Sequence, residues 1–205
     1  MTKVKLCGLK RNCDIDWVNE FRPDYVGFVF AGTKRRITDE TARAFRQRLL
    51  ADIPAVGVFV NEPIAHITAL VQQGTIQFVQ LHGQEDEAYI QQLRQHVQTP
   101  IIQAFSVRSI EDIKKAQQSA AEYILLDQGN GGTGIPFDWS VLRQVDRKYF
   151  LAGGLTPENV EQALLFHPYA LDISSGIETN GVKDKEKMRI FMTRVREAAS
   201  QEEMT

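Results

Sequence analysis

Eight short apolar segments recur along the chain, separated by stretches with helical spacing. Several lack polar alternation, which is typical of parallel strands covered on both faces. Eight strand–helix units in 205 residues favour one α/β domain, residues 1–205, closed into a (β/α)8 TIM barrel. An open doubly wound sheet is the alternative. The predicted strands are Val4–Cys7, Tyr25–Phe30, Ala55–Val60, Phe78–Leu81, Ile101–Phe105, Tyr123–Leu126, Tyr149–Ala152 and Ala170–Ser174.

Two helix starts can be read from capping residues. Ser109 followed by Asp112 has the spacing of a capping box, and Thr156 before Pro157 offers an N-cap followed by proline at the first helical position. The crossover between the fifth and sixth strands shows the weakest helical pattern, at residues 117–121. We therefore expect this crossover to be the least regular one.

Composition excludes several classes of protein. A net charge of −2 and a pI near 6.1 argue against a general nucleic-acid binder, which needs a basic surplus to meet phosphates. The chain has no apolar signal core near its start and no apolar run near the ~20 residues of a membrane span. Cys7 and Cys13 lie outside any zinc-type cluster. We expect a cytoplasmic protein with reduced thiols, without a nucleic-acid or membrane partner.

A thiol and a carboxyl group end two of the predicted strands. Cys7 closes the first strand before Gly8, and Asp127 follows the sixth. Catalytic groups of a barrel lie at the C-terminal ends of its strands, so the two can face each other across the mouth as general base and general acid. Buried packing of Cys7 and loop capping by Asp127 are the structural alternatives.

Glycine-rich loops follow the last three predicted strands. Any one of them can be a simple turn, but three in succession let backbone N–H groups approach an anion closely. We therefore predict a phosphate site and a phosphorylated small-molecule substrate. The candidate phosphate-binding residues are Gly132, Thr133 and Gly134 after the sixth strand, Gly153 and Gly154 after the seventh, and Ser174, Ser175 and Gly176 after the eighth.

Further polar residues fall at the same predicted face. Gln80 and His82 share one side of the fourth strand, where each can contact a ligand or, for the histidine, serve as a hydrogen-bonded structural residue. Cations at Lys34, Arg35 and Arg36 follow the second strand, and a guanidinium there can bind a substrate carboxylate through two hydrogen bonds.

In order and joint presence, the motifs resemble those of the phosphoribosylanthranilate isomerase family of tryptophan biosynthesis. The similarity runs over almost the whole chain, as far as Gly181-Val182-Lys183-Asp184. The motifs are Lys5-Leu6-Cys7-Gly8-Leu9, Gly27-Phe28-Val29-Phe30, Gly57-Val58-Phe59-Val60-Asn61, Gln80-Leu81-His82-Gly83, Leu125-Leu126-Asp127, Gly131-Gly132-Thr133-Gly134, Leu151-Ala152-Gly153-Gly154-Leu155 and Asp172-Ile173-Ser174-Ser175-Gly176.

The resemblance implies an Amadori rearrangement of N-(5-phosphoribosyl)anthranilate to 1-(2-carboxyphenylamino)-1-deoxyribulose 5-phosphate. It makes Asp127 the general acid at the ribose ring oxygen and Cys7 the base that takes the C2 proton. It places anthranilate binding on Arg35, with Arg36 the alternative. No metal or other cofactor is implied. The chain departs from the commoner Cys-Gly-Ile-Thr form, with Leu9 and Lys10 after Cys7-Gly8.

Three rival functions stay open at this point. A histidine-pathway isomerase of the same fold is expected to have an aspartate where this chain has Cys7. An indole-forming synthase is expected to need a lysine at a strand end, and none of the eight predicted strand ends offers one. A non-catalytic phosphate-binding barrel would have no reason to retain Cys7 and Asp127 together. The sequence is compatible with a monomer or a homodimer.

Overall fold

The computed structural model describes residues 1–127 and 139–202 of the chain. Its strands are β1 Lys3–Cys7, β2 Tyr25–Val29, β3 Ala55–Phe59, β4 Phe78–Leu81, β5 Ile101–Ser106, β6 Tyr123–Asp127, β7 Tyr149–Ala152, β8 Ala170–Ile173, β9 Glu178–Thr179 and β10 Val182–Lys183. Its α-helices are α1 Asn12–Phe21, α2 Asp39–Arg48, α3 Ile64–Gln72, α4 Glu87–Arg94, α5 Ile110–Gln117, α6 Val160–Leu164 and α7 Lys185–Glu202. Two 3₁₀ helices cover Trp139–Gln144 and Ser175–Ile177.

Strands β1 to β8 form one closed parallel barrel in sequence order, and β8 pairs with β1 to complete it. The predicted barrel fold is confirmed, and the open sheet is excluded. Each predicted strand is present, with ends within one residue of the prediction. The short β9–β10 hairpin lies outside the barrel sheet and follows β8 directly.

The barrel strands alternate between an outer and an inner core. Outward side chains such as Val4 and Leu6 join the large cluster that the helices cover. Inward side chains form a second, smaller cluster inside the barrel, made of Tyr25, Val56, Ile102, Leu125, Phe150, Ala152 and Ala170. Because successive side chains of a strand point to opposite faces, every second strand residue near the C-terminal ends points into the mouth.

Of the two helix starts predicted from capping residues, one is confirmed and the other is wrong. The hydroxyl of Ser109 accepts from the backbone N–H of Asp112 at 3.3 Å, and the Asp112 carboxylate accepts from the Ser109 N–H at 2.9 Å, so the predicted capping box is confirmed. At Thr156-Pro157 the prediction is wrong. The chain first makes a turn, in which the Asn159 side chain accepts from Thr156 N–H at 2.8 Å, and α6 begins at Val160.

The expected weakness of the fifth crossover is also wrong. Helix α5 has 8 residues there, whereas α6, between β7 and β8, has only 5. Ile113 and Ala116 bury one face of α5, and that contact outweighs the poor pattern at its C-terminal end. None of the described helices combines the length and apolar character needed to cross a membrane.

Candidate active site

A cavity of about 480 Å³ opens at the C-terminal ends of the barrel strands. That volume lies within the usual range of small-ligand sites, about 300–1,000 Å³. The cavity brings together nearly all the predicted site residues that the structure describes. They are Cys7, Arg35, Gln80, His82, Asp127, Gly153, Gly154, Ser174 and Ser175.

Cys7 reaches the cavity because strand alternation points it inward at the end of β1. It is paired in register with Gly27 of β2, and a Cβ at position 27 would lie 2.5 Å from the Cys7 Sγ. Any residue other than glycine at position 27 would therefore displace the Cys7 thiol. Cys7 is 8% exposed, so the thiol is largely buried at the bottom of the cavity but still lines it.

A buried ion pair lies beneath the thiol. Lys5, two residues before Cys7 on the same face of β1, is fully buried at 0% exposure. Its Nζ donates to Oδ1 and Oδ2 of Asp172 at 3.0 and 2.9 Å, and the two residues are register partners in β1 and β8. The pKa of Lys5 is raised, because Asp172 and Cys7 outweigh the burial that acts to lower it.

Opposing effects act on the Cys7 thiol. Burial raises the pKa of Cys7, and the nearby Asp172 carboxylate adds to that rise. The positive charges of Lys5 and Lys183 act in the opposite direction. Burial and two neighbouring cations thus have opposite effects on the ionisation of the thiol.

The β9–β10 hairpin adds a second charged group beside the site. Lys183 is 3% exposed, and its Nζ donates to Glu178 Oε1 and to the Ser174 carbonyl oxygen, both at 2.8 Å. Glu178 also accepts from Arg35 Nε at 2.7 Å and from Nη2 at 2.8 Å. Although burial opposes it, hydrogen bonds from Arg35 and Lys183 lower the pKa of Glu178 to about 2.

The structure separates the two candidate arginines. Arg35 lines the cavity, whereas Arg36 is exposed and pairs with Val29 through a backbone bridge. Glu178 orients the Arg35 guanidinium. The hydrogen bonds between the two side chains raise the pKa of Arg35. This pairing uses Nε and one hydrogen of Nη2 and leaves Nη1 for a ligand.

Asp127 stands across the cavity from Cys7, at the end of β6. His82 Nε2 lies 3.6 Å from Asp127 Oδ2, and the Gln80 side-chain amide lies 2.9 Å from His82 Nδ1. When the amide NH2 donates to Nδ1, the neutral imidazole carries its proton on Nε2, toward the carboxylate. Gln80 is 1% exposed, and its Oε1 has no hydrogen-bond partner among the described residues.

The described part of the predicted phosphate site is formed by two loops. Gly153 and Gly154 follow β7 with φ of 85° and 66°, left-handed values that glycine adopts at no steric cost, and both residues line the cavity. Ser174 and Ser175 follow β8 and line the same cavity. The Ser174 hydroxyl donates to the Cys7 carbonyl oxygen at 3.0 Å, so it also ties β8 to β1.

Four predicted phosphate-binding positions are not among the described residues that line the cavity. Gly176 packs against the Leu155 carbonyl, where no side chain fits, instead of lining the cavity. Gly132, Thr133 and Gly134 lie outside the described residues, so their predicted role stays a prediction. Among residues 1–127 and 139–202, no group of three or more His, Cys, Asp or Glu side chains could hold a metal ion.

Lys5, Asp172, Lys183 and Glu178 are not among the site residues predicted from the sequence. One signal for Lys5 was available: a lysine within an apolar strand, two residues before Cys7, must share the inward face of the thiol. Asp172 offered the same signal in β8. The approach of Lys183 and Glu178 depends on how the hairpin folds back, which strand periodicity does not reveal.

Comparisons with known proteins agree with this geometry. A family model described as N-(5'phosphoribosyl)anthranilate (PRA) isomerase matches residues 4–194. An N-(5'-phosphoribosyl)anthranilate isomerase of Endomicrobium trichonymphae is 45% identical over 193 residues, which cover 92% of this chain and 95% of that protein.

Solved structures give the same result. The phosphoribosyl anthranilate isomerase of Thermotoga maritima superposes with a TM-score of 0.87 at 35% identity, covering 96% of this chain and 99% of that one. A phosphoribosyl anthranilate isomerase in complex with reduced 1-(o-carboxyphenylamino)-1-deoxyribulose 5-phosphate has a TM-score of 0.85 at 34% identity, with the same coverage.

Proposed function

The chain belongs to the N-(5'-phosphoribosyl)anthranilate isomerase family, and we propose that it catalyses the Amadori rearrangement of N-(5-phosphoribosyl)anthranilate in tryptophan biosynthesis. The product is 1-(2-carboxyphenylamino)-1-deoxyribulose 5-phosphate. The observation that carries this proposal is the placement of a thiol and a carboxyl group on β1 and β6 of one cavity, beside two loops suited to a phosphate.

Asp127 acts as the general acid in the first step. Its protonated carboxyl group gives a proton to the ribose ring oxygen, the C1–O bond breaks, and the anilino nitrogen lone pair forms the iminium with C1. His82 Nε2 faces the Asp127 carboxyl group at 3.6 Å and helps to orient it, and Gln80 fixes the tautomer of His82. The ring-opened sugar thereby gains a C4 hydroxyl and an acidic C2 proton.

Cys7 acts as the general base in the second step. Its thiolate takes the C2 proton, and the electrons of the C2–H bond form a C1–C2 double bond and neutralise the iminium nitrogen. The resulting enol becomes the ketone when its hydroxyl proton passes to the Asp127 carboxylate and C1 takes the proton held by the Cys7 thiol. The substrate thus gains and loses equal numbers of protons, so atoms and electrons balance without an external oxidant or reductant.

Substrate contacts follow from the lining of the cavity. The anthranilate carboxylate binds Arg35, whose guanidinium Glu178 already orients. Gln80 and His82 line the cavity, where they contact the sugar part of the substrate. The phosphate binds near Gly153, Gly154 and Ser175, together with the predicted loop residues Gly132, Thr133 and Gly134.

The test is a fluorescence assay of the purified protein with phosphoribosylanthranilate, whose anthranilate emission is lost on rearrangement. We expect enzyme-dependent decay, with inorganic phosphate raising the KM by competing at the phosphate loops. The histidine-pathway aminoaldose serves as the comparison substrate. Absence of decay above the enzyme-free background would overturn the proposed function.

A further inference from the structure

Lys5 presents a problem that the reaction described above does not explain. Lysine is almost never fully buried unless it is paired, and taking two charges out of water costs more than their attraction commonly returns. Lys5 is nevertheless 0% exposed in the barrel interior, and its partner Asp172 is 8% exposed. A pair of apolar residues would fill the same space at least as well. The pair therefore calls for a functional explanation.

The position of the pair in the barrel indicates what that function is. Strand alternation sets Lys5 directly below Cys7 on β1, and register pairing places Asp172 beside it on β8. Two hydrogen bonds of 2.9 and 3.0 Å hold the Lys5 ammonium to the Asp172 carboxylate, and the positive charge of that ammonium acts on the Cys7 thiol above it. The ammonium is thus held by the Asp172 carboxylate and lies below the Cys7 thiol, the group that must become negatively charged in the reaction.

We propose that Lys5 is a positioning residue for Cys7: its ammonium, held by Asp172, stabilises negative charge on Sγ so that the thiolate can take the C2 proton. This inference rests on the proposed base role of Cys7. Lys5 itself does not line the cavity and acts only through the thiol.

Other charged groups face the thiol from neighbouring elements. Asp172 of β8 opposes ionisation, and Lys183 of β10 favours it less strongly than Lys5 does. Arg35 adds a further positive charge from the segment after β2. Lys183 and Arg35 are both hydrogen-bonded to Glu178, so that carboxylate offsets part of their effect. Lys5 shares the inward face of β1 with the thiol, and it acts on the thiol more strongly than Lys183 does.

The need for such a cation follows from the burial of the thiol. Burial is the largest influence on Cys7 and raises its pKa above the ordinary value, which would leave little thiolate at neutral pH. The positive charge of the Lys5 ammonium, on the same strand face, counters part of that rise. A buried base therefore gains reactivity from Lys5 without being exposed to water.

The experiment measures the pKa of Cys7 from the pH dependence of its alkylation by iodoacetamide. It uses the folded, substrate-free protein, carries Cys13→Ser in every variant, and follows the Cys7 peptide by mass spectrometry. We expect Lys5→Met to raise the thiol pKa by about 1–2 units, the size of effect that a close opposite charge has. The acidic limb of the kcat profile should move by the same amount.

Lys3→Met is the matched control. Lys3 occupies the same inward face of β1 two residues before Lys5, where it contacts Tyr25 and Tyr169 rather than the thiol. We expect no shift of the thiol pKa in this variant. Asp172→Asn should move the pKa downward, because it removes a negative charge near Sγ. If the pair were merely structural, Lys5→Met and Asp172→Asn would shift the pKa of Cys7 in the same direction.

Lys5→Met leaves Asp172 buried without its partner and is the variant most at risk of not folding. The double variant Lys5→Met/Asp172→Asn removes both charges. It leaves no unpaired buried charge, so it can be measured even if Lys5→Met alone does not fold. Because Lys5 influences the thiol more than Asp172 does, the double variant should still raise the pKa of Cys7. An unchanged or lowered thiol pKa in the folded Lys5 variants would overturn the proposal.

This readout is independent of the proposed function. The alkylation experiment needs no substrate and reports only the influence of Lys5 on the thiol. If Cys7 is not the base, Cys7→Ala will retain turnover while the alkylation shift persists. If Lys5 has no influence, the shift will be absent while Cys7→Ala still loses turnover.

Discussion

The two ends of the barrel interior are filled in opposite ways. At the N-terminal end, five aromatic rings pack together, with centroid distances between 4.9 and 6.4 Å: Tyr25, Phe78, Tyr123, Phe150 and Tyr169. At the C-terminal end, the interior instead carries Lys5, Cys7 and Asp172 beneath an open cavity. The strands β2, β4, β6 and β7 supply four of the aromatic rings, whereas β1 and β8 supply the charged residues and the thiol.

The polar groups of the aromatic end are arranged to satisfy one another. The hydroxyls of Tyr25 and Tyr169 are hydrogen-bonded at 3.0 Å, and the ammonium groups of Lys3 and Lys148 lie over the Tyr169 ring. Burial, despite that hydrogen bond, raises the pKa of Tyr25, so its hydroxyl stays neutral. This end gains stability from packing and needs no reactive group.

The charged end shows the reverse balance. Lys5 pairs with Asp172 and Lys183 pairs with Glu178, two buried ion pairs that packing alone would not require. Buried ion pairs contribute little net stability, but they fix charges at defined positions in a region of low polarity. The comparison therefore predicts that changes at the aromatic end lower stability and leave turnover intact, whereas changes at the mouth mainly lower turnover.

The largest expected effect on stability comes from Phe150→Ala. Phe150 is fully buried and contacts three tyrosine rings, so its truncation should cost about 3–5 kcal/mol in the free energy of unfolding. Urea denaturation gives this value, and the fluorescence assay gives kcat below the unfolding transition. A large loss of kcat in the folded variant would break the division between the two ends.

Two strand glycines give an intermediate and more specific test. In Gly27→Ala the added methyl would lie 2.5 Å from the Cys7 Sγ, so the thiol must move and kcat should fall about 10- to 100-fold. In the matched control Gly57→Ala the methyl meets Ile76 and Phe59 at 2.7 Å, on the outer face of β3. That change should cost about 1–3 kcal/mol in stability with kcat retained. Equal losses of kcat in both variants would count against the assigned position of the thiol.

The smallest expected effect concerns a histidine at the rim of the mouth. Burial alone would lower the pKa of His66, but hydrogen bonds to Asp39 and Glu62 outweigh it and raise that pKa. Because the folded pKa is raised, the stabilisation is fully present below the unfolded pKa of about 6.5 and is lost as pH rises through the folded value.

The measurement compares urea denaturation of the wild type and His66→Gln at about pH 5.5 and about pH 9. The wild type should be more stable by about 0.2–1 kcal/mol at the lower pH, and the difference should shrink at the higher pH. A difference that grows with pH would have the wrong sign.

Sequence patterns predicted those parts of the molecule that depend on local periodicity. The eight strands follow from apolar runs, and the positions of Cys7 and Asp127 follow from where those runs end. The capping box at Ser109 was equally local. The start of α6 was not, because Asn159 and Thr156 form a turn that replaces the expected first helical turn.

The charges around the thiol required the folded chain. Lys5 and Asp172 are 167 positions apart and meet only when β8 closes the barrel against β1. Arg35 and Glu178 are 143 positions apart and meet through the hairpin that follows β8. Local periodicity carries no information about such pairs, so the sequence indicated a reactive cysteine without indicating what stabilises its thiolate.

The most direct test of the central claim is the kcat of Cys7→Ala with phosphoribosylanthranilate, measured beside Cys13→Ala and Asp127→Ala. Cys13 lies in α1 outside the cavity and controls for the loss of a thiol. Cys7→Ala and Asp127→Ala should unfold at the same temperature as the wild type, and each should lower kcat by at least ~10²-fold. That is the usual effect of losing a proton-transfer group. Cys13→Ala should retain wild-type turnover. Near-normal kcat in folded Cys7→Ala would contradict the account.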